Sequence, residues 1–104
     1  MKILRIKILA SQRNGTLYIG VTSNLINRVW QHKSRLIEGF TKTYIVDKLV
    51  YYEEYNEITY TLKREKRLKQ YNRQWKVELI EKSNPEWKDL YDDFITGFPG
   101  QAGE

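Results

Sequence analysis

Hydrophobic positions near the start of the chain recur at every second residue. Over 4–10, Leu4, Ile6 and Ile8 share one face while Arg5 and Lys7 take the other, the period of a strand with one side against a core. "SQRNG" then supplies a turn, and its closing Asn-Gly pair suits a tight hairpin. "TLYIGVT" resumes the alternation: Leu17, Ile19 and Val21 fall together, which sends Tyr18 and Gly20 to the opposite face. A third strand is expected in "KLVYYEEY", rich in β-branched and aromatic residues. No long crossover separates the first two strands, so they are expected to pair antiparallel.

Elsewhere the period lengthens to that of helices. The first helix is expected to be capped by Thr22 or Ser23 and to end near 33, with Leu25, Ile26, Val29 and Trp30 as its apolar stripe. The second, capped by Asn56, covers 57–71 and buries Ile58, Leu62 and Leu68. Asn72 opens a third helix carrying Trp75, Leu79 and Ile80. "NPEWKDL" reads as a further start, with Asn84 as cap and Pro85 at the first helical position. The ending "TGFPGQAGE" has too much glycine and proline to fold alone. The expected organisation is a single domain over 1–95 and a flexible tail over 96–104, without internal repeats.

Composition narrows the chemistry. A chain of 104 residues supports one modest core. The absence of cysteine removes disulfides, thiolate catalysis and thiolate zinc sites, and one histidine cannot build a multi-histidine metal centre. Any metal is therefore expected to be hard and oxygen-ligated, which points to magnesium or a relative. "MKILRIKILA" begins like a signal peptide, but Arg5 and Lys7 interrupt a stretch that would have to run roughly 7–15 apolar residues. No segment approaches membrane-spanning length, so a cytoplasmic protein without a membrane partner is expected. The net charge of +5 favours anionic partners without naming one.

Four residues carry candidate chemistry. Tyr18 leaves the core face beside Gly20, which lets another group approach the backbone; a surface tyrosine half-packed on a neighbour is the plainer reading. Arg28 and His32 are four apart on the first helix, along the edge of its apolar stripe, facing either a cleft or solvent. Glu65 falls inside the buried stripe of the second helix, where a carboxylate needs a cation beside it. That cation is either Lys69, one turn on, or a metal ion or phosphate-clamping arginine. The run over 63–76 holds seven basic residues against one acid, and its members Lys63, Arg64 and Arg67 point away from Glu65, as a solvated helix face does.

Taken in order, "LYIG" in a second strand, "NRVWQH" on the next helix and "KREKRLKQY" on a later one resemble the GIY-YIG nuclease domain, in particular its small single-domain bacterial branch. The likeness runs over 6–90 and includes "GFTKTY", "LVYYEEY" and "NPEWKDL". It implies an α+β fold, a three-stranded antiparallel sheet flanked by helices. It also implies an endonuclease that hydrolyses a DNA phosphodiester with one divalent ion, magnesium. Carried over by position, Tyr18 and Gly20 match the "YIG" tyrosine and glycine, Arg28 the helix arginine, His32 the histidine one turn later, and Glu65 the metal-binding glutamate. In that chemistry Arg28 would stabilise charge in the transition state, Tyr18 would accept or orient the proton of the attacking water, and His32 would assist proton transfer or hold the phosphate.

One position departs from the resemblance. Relatives usually read "YVYIL" in the first strand, whereas this chain reads "RIKIL", with Lys7 at the expected tyrosine. That lysine would either bind phosphate, together with Gly20 and Arg28 on the nucleic-acid side, or pair with Glu65 and displace the metal. The second case leaves a nucleic-acid-binding module without catalysis. A third alternative is a protein-interaction domain using "YYEEY". Few residues remain for a separate recognition domain, so any specificity falls to this domain or to a protein partner.

Overall fold

The computed structural model describes residues 3–34 and 45–95. The tail expected over 96–104 and the "GFTKTY" segment over 39–44 lie outside the described residues. Three strands, β1 (Leu4–Ala10), β2 (Leu17–Thr22) and β3 (Lys48–Tyr55), form one sheet in the order β2-β1-β3, antiparallel throughout. Among the described residues four helices flank it: α1 (Leu25–Lys33), α2 (Ile58–Gln70), α3 (Arg73–Ser83) and α4 (Tyr91–Ile95). This is the α+β arrangement that the resemblance implied.

The central strand is covered on both sides. Ile6, Ile8 and Ala10 meet Ile19, Val50, Leu68, Ile80 and Trp87 on the face that carries α2 and α3. Leu9 joins Leu25, Val29, Leu49 and Tyr91 on the face that carries α1 and α4. The alternation over 4–10 therefore sorts residues between two helical layers rather than between core and solvent. Lys7, expected on an outward face, lies under the α1 layer and is only 2% exposed. The register against β3 shifts between Ile8 and Leu9, so Val50 lacks a partner across the ladder.

The starts of α1 and α2 differ from the expected ones by a residue or two, each for a visible reason. Asn24, not Thr22 or Ser23, caps α1 by accepting from the Asn27 N–H, while the Thr22 hydroxyl accepts from the Asn24 N–H one step earlier. Glu57, not Asn56, caps α2, because its longer carboxylate reaches both the Thr59 and Tyr60 N–H groups. Asn72 caps α3 as expected. Asn84 opens no helix. It closes α3, and its buried side chain donates to the Val50 and Lys88 carbonyls and accepts from the Lys88 N–H. The last helix starts later, where the Asp89 carboxylate accepts from both the Tyr91 and Leu49 N–H groups.

The buried stripe of α2 is Thr61 and Leu68, with Glu65 between them in the helical period; Ile58 and Leu62 are exposed. Arg64 does not lie on a solvated face. Its guanidinium makes a bidentate pair with Glu53 of β3 at 2.8 and 2.9 Å. The same carboxylate accepts the hydroxyls of Tyr51 and Tyr55. Burial works against the charge of Glu53, but hydrogen bonds from Arg64, Tyr51 and Tyr55 hold its carboxyl below the usual range. Burial and the same carboxylate push the Tyr55 hydroxyl up to about 12. The network ties α2 to β3 and so fixes which side of the helix meets β2.

Removing Arg64 leaves a mostly buried carboxylate without its cation. Arg64→Ala is expected to cost about 3 kcal/mol in urea unfolding, against less than about 0.5 kcal/mol for the exposed Arg67→Ala. Equal, small losses for the two would contradict the anchor.

Candidate active site

Lys7 and Gly20 face each other across β1 and β2. A Cβ on Gly20 would stand 2.6 Å from the Lys7 Nζ, so the ammonium occupies the space that any larger residue would fill. The Nζ lies 5.6 Å from the centre of the Tyr18 ring, within cation–π range. Burial pushes the Lys7 amine down, the positive charges of Arg28 and Lys69 push it further, and Glu65 opposes them, leaving it at about 8. A lysine on the central strand is thus held amid two other cations and one carboxylate.

Tyr18 is half-buried and stacks, tilted, on His32 with ring centres 5.6 Å apart. His32 belongs to the buried stripe of α1 with Leu25 and Val29, whereas Ile26 and Trp30, expected in that stripe, are exposed. Arg28 is exposed on the same helix, and its guanidinium donates to the Gln31 side chain at 3.2 Å. The two candidates therefore split between surface and interior. Burial pushes the His32 imidazole down to about 4, and the charges of Lys7 and Arg28 add to the effect. Near neutral pH it is an uncharged ring, which packs and orients but does not bring positive charge to a phosphate.

Glu65 sits on the sheet-facing side of α2 with a side chain 18% exposed, and Lys69 pairs with it at 3.2 Å. Lys69 is itself over half exposed. Of the two partners open to Glu65, the lysine one turn on is thus in place, and Lys7 makes no ion pair with it among the described residues. Beside Tyr18 a hollow of about 270 Å³ is lined by Leu17, Ile19, Lys69 and Lys76. Lys76, on α3, entered the sequence reading only as the end of the basic run over 63–76, and Gln31 was not singled out. Lys76 comes from a separate helix that meets β2 only in the fold, so local spacing carries no signal for it.

The donor set fits a hard divalent ion in one respect. Glu65 offers a carboxylate whose present partner is a flexible, solvent-exposed lysine able to swing away. No group of three or more His, Cys, Asp or Glu suited to a metal occurs among the described residues. Such an ion would keep most of its coordination for water and phosphate, as magnesium commonly does.

A family model described as the GIY-YIG catalytic domain matches residues 6–78, and the chain belongs to the GIY-YIG family, a family of nucleases. Neither the comparison with curated proteins nor the one with solved structures returns a match. Among the described residues no helix is long and apolar enough to cross a membrane.

The low proton affinity of His32 has a thermodynamic consequence. The unfolded chain binds this proton near pH 6.5 and the folded one only near 4, so stability falls as pH drops from about 6.5 to about 4 and levels off below. Between pH 7 and 5 the histidine is expected to remove about 2 kcal/mol. Urea titrations at both pH values should show that extra loss in the wild type and not in His32→Gln. Parallel losses in the two proteins would place the imidazole in solvent.

Proposed function

We propose that this chain is a divalent-metal-dependent endonuclease acting on a DNA phosphodiester at the β2 edge. The observation that carries the reading is that the charges of Arg28, Lys69 and Glu65 all act on Lys7, whose ammonium lies beside the Tyr18 ring. A phosphodiester is anionic and repels a nucleophile, so hydrolysis needs positive charge around its oxygens and one acidic ligand for a metal.

Glu65 would hold the ion once Lys69 turns to the phosphate. Magnesium, when bound, supplies charge to the phosphoryl oxygens and keeps water in its coordination sphere. Arg28, already exposed and steadied by Gln31, would stabilise the charge that grows on those oxygens as water attacks. Tyr18 would take the hydrogen bond of that water, with its ring held between His32 and the Lys7 ammonium. His32 acts as a positioning residue for Tyr18. The water oxygen bonds to phosphorus, one P–O ester bond breaks, and the products are a phosphate monoester and an alcohol. Lys7 stands where relatives carry a second tyrosine, and without a carboxylate ion pair of its own it contributes charge to the phosphate and weakens metal affinity.

The rival reading, a nucleic-acid-binding module without catalysis, rests on the same Lys7. Supercoiled-plasmid nicking with and without magnesium separates the two. Wild type should nick only with the ion. Glu65→Gln should lose at least about a hundredfold in rate while remaining folded. Arg28→Ala should lose about a hundredfold in turnover with DNA affinity changed by less than about threefold. Undiminished nicking by folded Glu65→Gln, or an Arg28→Ala defect confined to affinity, would overturn the assignment.

A further inference from the structure

A second hollow among the described residues lies away from the proposed active site. It runs along the other side of α2, has a volume of about 650 Å³, and is lined by Tyr60, Lys63, Lys66, Arg67 and Tyr71, with Arg64 at its wall. Lys63 and Arg67 stand two residues either side of Glu65, which on a 3.6-residue period puts them across the helix from it. We propose that this groove binds a single strand of nucleic acid, a site separate from the one at Glu65 and independent of whether that one cleaves.

Three observations favour that ligand. The groove is cationic with little to cancel it: Lys63, Lys66 and Arg67 are exposed and form no ion pair among the described residues. Arg64 is closed onto Glu53, and the nearby acid Glu57 is engaged in capping α2. The groove is also walled by aromatic rings. Tyr60 is 54% exposed and leans edge-on against Tyr55 at 5.1 Å, while Tyr71 meets the exposed Trp75 edge-on at 5.4 Å. Ten helical residues separate Tyr60 from Tyr71, the C-cap of α2, a span of about 16 Å, and the cations lie between them.

A row of phosphates satisfies the cations, and unpaired bases satisfy the rings. Duplex DNA offers the first but hides its base faces, and an acidic peptide offers carboxylates but no flat ring to stack. These ring contacts leave Tyr60 anchored on one side and open on the other, as a stacking platform requires.

Fluorescence anisotropy of the full chain in EDTA, where no cleavage occurs, tests the proposal. The probes are a fluorescein-labelled 12-mer of thymidylate and a 12-base-pair duplex, with polyglutamate as competitor. Wild type should prefer the single strand. Lys63→Ala/Lys66→Ala/Arg67→Ala should weaken its binding at least tenfold and reduce the slope of log K against log salt by about 2. Tyr60→Ala should weaken single-strand binding roughly tenfold and leave duplex binding unchanged. Magnesium-dependent plasmid nicking by the triple variant at saturating DNA should stay within about twofold of wild type, which separates this site from the nuclease reading. Circular dichroism checks that each variant is folded. Wild-type affinity in the triple variant, equal binding of duplex with Tyr60→Ala silent, or displacement of the oligonucleotide by polyglutamate would each overturn the proposal.

Discussion

A positive charge inside the central strand sets the terms for everything around it. β1 is buried on both faces, and Lys7 is the only charged residue in the run of five fully covered positions over 6–10. Burying an ammonium costs several kcal/mol unless its surroundings compensate. The surroundings do so in three ways. Gly20 leaves room for it, Tyr18 turns a ring towards it, and Glu65 supplies the carboxylate that opposes Arg28 and Lys69. The residues proposed for the chemistry are thus also the ones that make Lys7 tolerable, and structure and proposed chemistry share one set of contacts.

α2 connects this centre to the rest of the molecule by presenting different residues in different directions. Thr61 and Leu68 face the sheet, Glu65 and Lys69 lie towards the β2 side, and Arg64 reaches back to Glu53 on β3. The Arg64–Glu53 pair fixes the rotation of the helix about its axis, and that rotation decides whether Glu65 meets the cations of the site or the solvent. Stability and function are coupled here through a single degree of freedom. The remaining side of the helix, freed from packing, carries the cationic groove.

Sequence alone revealed the strands, because alternation over 4–10 and 17–22 survives in either one-sided or two-sided burial. It could not say that the second face is also covered, since α1 and α4 reach that face only through the tertiary fold. Tyr18, Gly20, Arg28, His32 and Glu65 were picked out together by a resemblance in order and spacing, and the family match over 6–78 spans all five without assigning them roles. Their environments were not legible. Hydropathy favours Ile26 and Trp30 over His32 for the interior of α1, yet the helix turns the histidine inward against Tyr18. Arg64 looked like surface because its partner Glu53 is eleven positions back on a strand, beyond any local helical pairing rule. Glu57 displaced Asn56 as the cap of α2 because its carboxylate reaches two N–H groups of the first turn.

The central claim is that Lys7 is a buried cation held by Gly20 and Tyr18 amid Arg28, Lys69 and Glu65, rather than a surface lysine. Its titration reports this directly. Proteins labelled with 13C at the lysine side chains, followed by NMR through the pH range over which the fold persists, should show one ε-carbon titrating near 8, assigned by its disappearance in Lys7→Met. A Lys7 resonance titrating near the ordinary lysine value of 10.5 would place the ammonium in water and contradict the account.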